Sequence, residues 1–498
     1  MNNEQLFIFS TPIHLNQFVQ DLTDRYCIEN VSVSRECRVY YDTFDWRLYK
    51  KSLLLFRTTD TLFLQSLHDN TILERVATTA PPVFAADLPG GRLQETVAAI
   101  LDVRALLQLF TLRAQCSHLR VMNADAKTVV RLSYEENTLA DGSAASPIAS
   151  CFWLKPVRGY TKHAERLAKW LRKKGAATSQ DSRYFQGLAA VVKQPGDYTS
   201  KIRVALQSTL RADIATKMIL KALLQAIKRN EAGIICDIDT EFLHDYRVSI
   251  RRTRSALGQI KAVFPAHVTD RFRKLFADLG SVTNRLRDLD VYLLHEADYK
   301  DMLPDPLRPA IEPLFEHIRR QRAQARRSVV RRLQSKSYAD MLRRWEAFLD
   351  QPPADMPCAP NASRPILEVA QERIARKCRR VIKVGRHLMT APDEQGLHRL
   401  RIECKKLRYL LEFFTDVLPG KQTTLLIKQL RALQDNLGRF NDVCVQQEAL
   451  HNFATQMPAS DSNTRSAIDS LVGTLETEKQ TVQRAFPELL TTFIKQIN

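Results

Sequence analysis

One stretch of this chain occurs twice, and the repetition limits the fold more than any composition could. Leu243-His-Asp-Tyr-Arg-Val-Ser-Ile-Arg-Arg-Thr-Arg-Ser-Ala-Leu257 returns as Leu397-His-Arg-Leu-Arg-Ile-Glu-Cys-Lys-Lys-Leu-Arg-Tyr-Leu-Leu411. His244, Arg247, Arg251, Arg252 and Arg254 thus correspond to His398, Arg401, Lys405, Lys406 and Arg408, each pair 154 residues apart. The same offset carries Val263-Phe264-Pro265 onto Val417-Leu418-Pro419, Leu279 onto Leu433, Arg285 onto Arg439 and Asp288 onto Asp442. A gapless register of this length marks an internally duplicated helical unit. At about 100° per residue, His244, Arg247, Arg251 and Arg254 fall within roughly an 80° arc of one helix. Leu243, Tyr246, Ile250 and Leu257 occupy the adjoining arc, so an apolar face lies beside a basic one. Like charges at i,i+3 and i,i+4 repel. The stripe therefore predicts an anion, or acidic partner residues, lying opposite.

A chain of 498 residues has room for two to four domains. Its net charge of +19 points to an extended polyanion: nucleic acid, an anionic membrane surface or a phosphate polymer. Residues 1–195 hold 24 Lys+Arg and 19 Asp+Glu, net +5; the remainder holds 74−24=50 against 55−19=36, net +14. Most of the excess accompanies the duplicated part. Nine cysteines without a CxxC pair argue for reduced thiols rather than a disulfide or zinc framework. With no basic-then-apolar leader and no long apolar run, a cytoplasmic protein without a membrane span is expected.

Residues 1–192 read as an antiparallel α+β domain. Strand candidates are Leu6–Phe9, Arg38–Thr43, Ser52–Arg57, Thr61–Ser66, Leu106–Gln115, His118–Met122, Thr128–Tyr134 and Ala149–Lys155, with helices at Ile13–Arg25 and Thr161–Lys174. Tyr41-Asp-Thr-Phe-Asp-Trp-Arg-Leu48 followed by Leu53-Leu-Leu-Phe-Arg57, then Arg113, Lys127–Leu132 and Pro156–Tyr160, resemble strands of the CYTH, or triphosphate tunnel, family. The resemblance implies a barrel around a tunnel in which carboxylates hold divalent metal and Lys/Arg hold a triphosphate. The family's first strand alternates Glu-x-Glu-x-Lys, whereas this chain offers Glu4-Gln5-Leu6-Phe7-Ile8-Phe9. Its inward lysine position falls near Leu62–Gln65. Without converging carboxylates a hard cation lacks its oxygen cage. The expectation is a degenerate, non-catalytic tunnel with no metal and no cofactor; a metal-dependent inorganic triphosphatase is the alternative.

Val192–Ser200 is a linker by composition. Residues 201–498 then read as two all-α bundles of about four helices each, repeat one over 201–350 and repeat two over 363–498, joined by the proline-rich 351–360. A first helix is expected over Ile202–Asn230, and separate helices over Thr423–Leu437 and Asp442–Thr455. The two His-x-x-Arg-x-x-x-[Arg/Lys]-[Arg/Lys]-x-Arg helices, each with Arg-x-x-Asp ending 44 residues after its His, resemble the CHAD family (conserved histidine α-helical domain). That resemblance implies two pseudo-symmetric bundles with basic faces along a cleft, and inorganic polyphosphate as the ligand. The chemistry agrees: a bare phosphate chain asks for guanidinium forks and ammonium points, not base-stacking platforms. The expected polyphosphate contacts are His244, Arg247, Arg251, Arg252, Arg254, His398, Arg401, Lys405, Lys406 and Arg408. Arg322 and Arg326 (with Arg319) and Arg373, Arg376, Arg380 and Lys383 form two further stripes that could make an opposite wall or an outer surface. Asp288 and Asp442, with Arg285 and Arg439, are expected to orient cations through ion pairs. The histidines could equally serve as hydrogen-bonded bundle residues. Polyphosphate granules follow as a possible partner, with nucleic acid as the rival ligand.

Overall fold

The computed structural model describes every residue except 1–4, 10–14, 79, 141–145, 179–182, 354–356, 392, 457–461 and 498. Glu4, part of the loop around Pro458 and the middle of the proline-rich connector lie outside the described residues. The chain divides into two compact units, Met1–Thr199 and Ser200–Asn498.

The first unit contains β1 (Gln5–Phe9), β2 (Cys27–Asp42), β3 (Leu53–Arg57), β4 (Thr61–Ser66), β5 (Ile72–Ala77), β6 (Leu107–Met122), β7 (Thr128–Leu139), β8 (Ser146–Pro156) and β9 (Ala176–Thr178). Its helices are α1 (Leu15–Thr23), α2 (Arg92–Leu101), α3 (Thr161–Lys173) and α4 (Arg183–Ala190). The strands form one antiparallel sheet in the order β5-β4-β3-β2-β6-β7-β8-β1-β9. No pairing between β5 and β9 closes it among the described residues. The stretches expected as two strands, Leu106–Gln115 and His118–Met122, are one, because Cys116 and Ser117 continue the ladder opposite Ser34 and Val33. Alternation sends Phe7, Leu132, Tyr134, Phe152 and Leu154 to one face, where Leu167, Trp170 and Leu171 of α3 cover them.

The other face is polar at one end. Pairing register sets Glu29, Glu36 and Glu135 on it, from β2 and β7 rather than from β1 where carboxylates were sought. Each is held by a guanidinium: Glu29 by Arg120 (3.5 Å), Glu36 by Arg38, and Glu135 by Arg183 (3.1 Å). Glu135 also accepts from the Cys151 thiol (3.5 Å), and burial raises its pKa. At the apolar end Tyr184 and Leu188 of α4 close over Tyr40 and Phe110. Gly187 is required there, since a Cβ would come within 2.2 Å of the Phe110 ring.

The second unit is helical: α5 (Ala212–Cys236), α6 (Thr240–Gln259), α7 (Ala266–Val282), α8 (Asn284–Leu294), α9 (Glu296–Asp301), α10 (Glu312–Leu333) and α11 (Lys336–Asp350), then α12 (Ile366–Thr390), α13 (Glu394–Phe413), α14 (Gly420–Gln456) and α15 (Ser462–Ile497). Both ends of α5 and α12, and both ends of α6 and α13, differ by 154 (366−212, 390−236, 394−240, 413−259). The halves meet across a local two-fold. Ala212 N–H donates to the Arg364 carbonyl (2.9 Å) and Ile366 N–H to the Leu210 carbonyl (2.8 Å), equivalent groups bonded reciprocally as such an axis demands.

Two expectations need correction. Residues 202–211 are not helical; α5 begins at Ala212, after the bridge that spends the backbone groups of 210–212 on the other half. The helices expected over Thr423–Leu437 and Asp442–Thr455 are one 37-residue helix, α14. In the first half the chain breaks at the equivalent place because buried Thr283 turns its hydroxyl back to the Gly280 carbonyl (2.8 Å), whereas Leu437 offers no such competitor. The two halves also share a core. Val443, Leu450 and Phe453 of α14 and Ile468, Leu471 and Leu475 of α15 pack with Leu289, Tyr292, Phe315 and Ile318 of the first half.

Candidate functional site

The repeated helices α6 and α13 lie against each other. Asp239 caps α6, accepting from Glu241 N–H (2.9 Å) and Phe242 N–H (3.2 Å); Asp393 caps α13, accepting from Gly396 N–H (2.7 Å). Their apolar arcs are buried at Leu243, Tyr246, Ile250 and Leu257 and at Leu397, Leu400, Cys404, Leu407 and Leu411. What remains faces a cleft of about 880 Å³. Arg251 and Arg254 line it from α6, Arg273 and Lys274 from α7, and His398, Arg401, Lys405 and Lys406 from α13. Asp270 is the one carboxylate among the described lining residues, and it is bonded to Arg273 (3.1 Å).

A second opening of about 320 Å³ contains His244, Arg252 and Arg408 and shares Arg251, Lys405 and Tyr409 with the first, so these three form a common wall. Arg251 Nε donates to the Tyr409 hydroxyl (2.7 Å), crossing from one repeat to the other. Arg252 and Arg408 sit over the Tyr409 ring (5.6 and 5.8 Å) and share Glu412 (2.7 and 3.5 Å). Lys405 has no ion pair or hydrogen bond among the described residues. Burial, then the nearby Arg401 and Arg251 charges, lower its pKa to about 7. Burial likewise lowers the Arg401 pKa, while Asp442 opposes the shift from 3.3 Å.

The remaining expected residues divide sharply. Arg247 borders a neighbouring recess but spends one Nη on the Gly280 carbonyl (3.2 Å), Thr283 hydroxyl (2.8 Å) and Asn284 amide oxygen (2.9 Å). Arg322 and Arg326 do not reach the cleft. Arg322 is clamped between Asp237 (2.7 Å) and buried Asp290 (2.6 Å), and Arg326 holds the Ile235 carbonyl (2.7 Å) at the end of α5. Arg373, Arg376 and Arg380 line a separate pocket, and Lys383 is exposed outside both. Asp442 does orient a cation, Arg401, and the Asp288 charge offsets the burial of Arg247. Arg439 instead pairs with Glu478, and Arg285 is exposed. His398 Nδ1 bonds the Asn441 amide oxygen (2.6 Å) while still lining the cleft. Glu241, His244 and Asp245 bring potential ligand atoms within 4.8 Å of one another. Spacing of i, i+3 and i+4 on one helix places them there without a metal. Arg273 and Tyr409 fall where the repeat breaks, opposite Ile427 and Ser255 at the 154 offset, and Lys274, though matched by Lys428, lies outside the repeated basic helix.

Residues 218–451 match the family model described as the CHAD domain, and that region of the chain is a CHAD domain. The solved CHAD domain from the plant Ricinus communis is similar at 26% identity and a TM-score of 0.50, covering 58% of this chain and 95% of that one. PptA from Streptomyces chartreusis matches at 15% identity, TM-score 0.45, over 57% of this chain and 100% of its own. HpAC1 from Hippeastrum, described as having a dominant triphosphatase activity, matches at 14% identity and TM-score 0.28 over 40% of this chain and 100% of its own. A search of curated proteins returns no match. Among the described residues no helix is long and apolar enough to cross a membrane.

Proposed function

We propose that the helical unit binds inorganic polyphosphate in the cleft between α6 and α13 and performs no chemistry on it. The observation that carries this reading is charge without compensation: seven Lys/Arg line the cleft against one carboxylate, and Arg254, Lys274 and Lys405 make no ion pair among the described residues. Like charges confined in a partly desolvated space are costly unless an anion joins them. Tyr409 is the one Phe, Tyr or Trp among the described lining residues, and Arg251, Arg252 and Arg408 already occupy its hydroxyl and ring. That leaves the His398 imidazole as the one remaining ring among the described lining residues and favours a ligand made of phosphates alone. On this reading the protein associates with polyphosphate granules in the cytoplasm, and the sheet unit is a non-catalytic companion. Its carboxylates Glu29, Glu36 and Glu135, which share one face of the sheet, are each engaged by a guanidinium, which disfavours an oxygen cage for Mg²⁺ or Mn²⁺.

The test is polyphosphate binding by the wild type and by Arg251→Glu/Arg401→Glu, with RNA as competitor at about 0.15 M salt. Expected are loss of binding in the variant with circular dichroism unchanged, weak competition by RNA, and a steep fall of affinity with salt. Retained affinity in the folded variant refutes the assignment. Phosphate release from tripolyphosphate with Mg²⁺ or Mn²⁺ would instead establish the triphosphatase alternative.

A further inference from the structure

Beyond the cleft lies a second basic pocket, of about 370 Å³, lined by Gln259, Lys261, Arg373, Arg376, Lys377, Arg380 and Glu403. Arg373, Arg376, Lys377 and Arg380 stand at i, i+3, i+4 and i+7 on α12, and Lys261 follows the end of α6. The two spaces are continuous in their lining. Gln259 borders both, and Glu403 accepts from Lys377 of the pocket (2.7 Å) and from Lys406 of the cleft (2.8 Å). Compensation is incomplete: Arg376 is paired with Glu372 (2.9 Å), but Lys261, Arg373 and Arg380 make no ion pair among the described residues. Arg373 reaches only the Lys261 carbonyl (3.5 Å), and its Nε is buried without a partner. From Arg251 to Lys261 the basic track runs ten residues, about 15 Å at the helical rise.

We propose that this pocket continues the cleft and holds the outgoing end of a phosphate chain too long for the cleft alone, so that affinity grows with chain length. The proposal rests on the reading of the cleft as the polyphosphate site. A chain crossing Gln259 would neutralise Lys261, Arg373 and Arg380 with successive phosphates, and a triphosphate seated in the cleft would touch none of them.

The test compares inorganic triphosphate with long-chain polyphosphate on the full chain, using wild type, Arg373→Ala/Arg376→Ala/Arg380→Ala, and Arg251→Glu/Arg401→Glu. The triple variant should lose about tenfold or more in affinity for the long chain, with the slope of log affinity against log salt shallower by about 2 to 3, as expected for that number of lost phosphate contacts. Its affinity for triphosphate should stay within about twofold of wild type, since no contact in the cleft is touched. Arg380→Ala alone removes one exposed, unpaired charge, and serves if the triple variant does not fold. Long-chain affinity unchanged in the α12 variants, or an equal loss for both ligands, overturns the proposal while the cleft reading stands. Wild-type protein that binds neither ligand removes the cleft reading, and this inference with it.

Discussion

Lys405→Met should make the protein more stable and a worse polyanion binder at the same time. Lys405 is half-buried on the wall common to both openings. Facing it are Arg401 and Arg408 from its own helix, Arg251, Arg252, Arg254 and His244 from α6, His398, Tyr409, and Asp435 and Asp442 from α14. A lysine lowered from 10.5 to about 7 carries a penalty on its charged form of roughly 5 kcal/mol at 1.36 kcal/mol per decade of proton affinity. Water reaching a partly exposed ammonium screens this to about 2–3 kcal/mol. The folded value lies below the unfolded one. The group therefore opposes folding below about pH 7, the opposition fades as pH rises from 7 towards 10.5, and above that it is absent. Methionine keeps the unbranched stem and removes the charge. Thermal unfolding at about pH 6 should then show a gain of ~2 kcal/mol that disappears at high pH.

Binding has the opposite sign. A phosphate chain favours the ammonium, so binding above pH 7 takes up a proton, and wild-type affinity should fall about ten- to a hundredfold between pH 6 and pH 9. Long chains are the right ligand, because terminal phosphates titrate near pH 6 and would otherwise confuse the slope. Lys405→Met should bind more weakly at pH 6 and lose the slope, while Lys405→Arg, charged throughout, should bind with little slope. A flat wild-type profile, or an unchanged slope in Lys405→Met, refutes the reasoning.

Other outcomes follow from the same contacts. Arg322→Ala strands the buried Asp290 carboxylate and should cost about 2–4 kcal/mol in denaturant unfolding, with polyphosphate affinity within about twofold of wild type, since Arg322 is remote from the cleft. Tyr409→Phe removes the hydroxyl that positions Arg251 and should weaken binding by about 1 kcal/mol, read by titration calorimetry. Gly233→Ala would set a Cβ 2.2 Å from the Phe242 ring and should lower stability by about 1–3 kcal/mol, despite the better helix propensity of alanine.

The duplication was legible because a helix pair that buries the same positions twice must repeat its apolar and basic arcs in register, as Leu243/Leu397 and Arg251/Lys405 do. Half of the cleft was legible for the same reason. What escaped notice lies where the halves differ. Arg273 belongs to α7, whose counterpart is the first part of a longer helix with Ile427 in its place, while Lys274, matched by Lys428, lies outside the repeated His-x-x-Arg helix. Arg322 and Arg326 show the limit of stripe reasoning: i,i+4 spacing puts cations on one face but does not say what that face meets, and here it meets Asp237 and Asp290. In the sheet, carboxylates were sought on β1, whereas they stand on β2 and β7; β2 was read as six residues instead of 16, which hid Glu29 and Glu36.

The reciprocal bonds between 210–212 and 364–366 have a consequence for ligand direction. A local two-fold sets equivalent cations, Arg251 and Lys405, on the wall shared by the two openings, so a chain entering from either side meets the same central pair. An unbranched polymer of identical groups looks alike from its two ends and loses nothing by being threaded backwards. Two equivalent ways of lying down add RT ln 2, about 0.4 kcal/mol, that a polar strand such as RNA cannot collect.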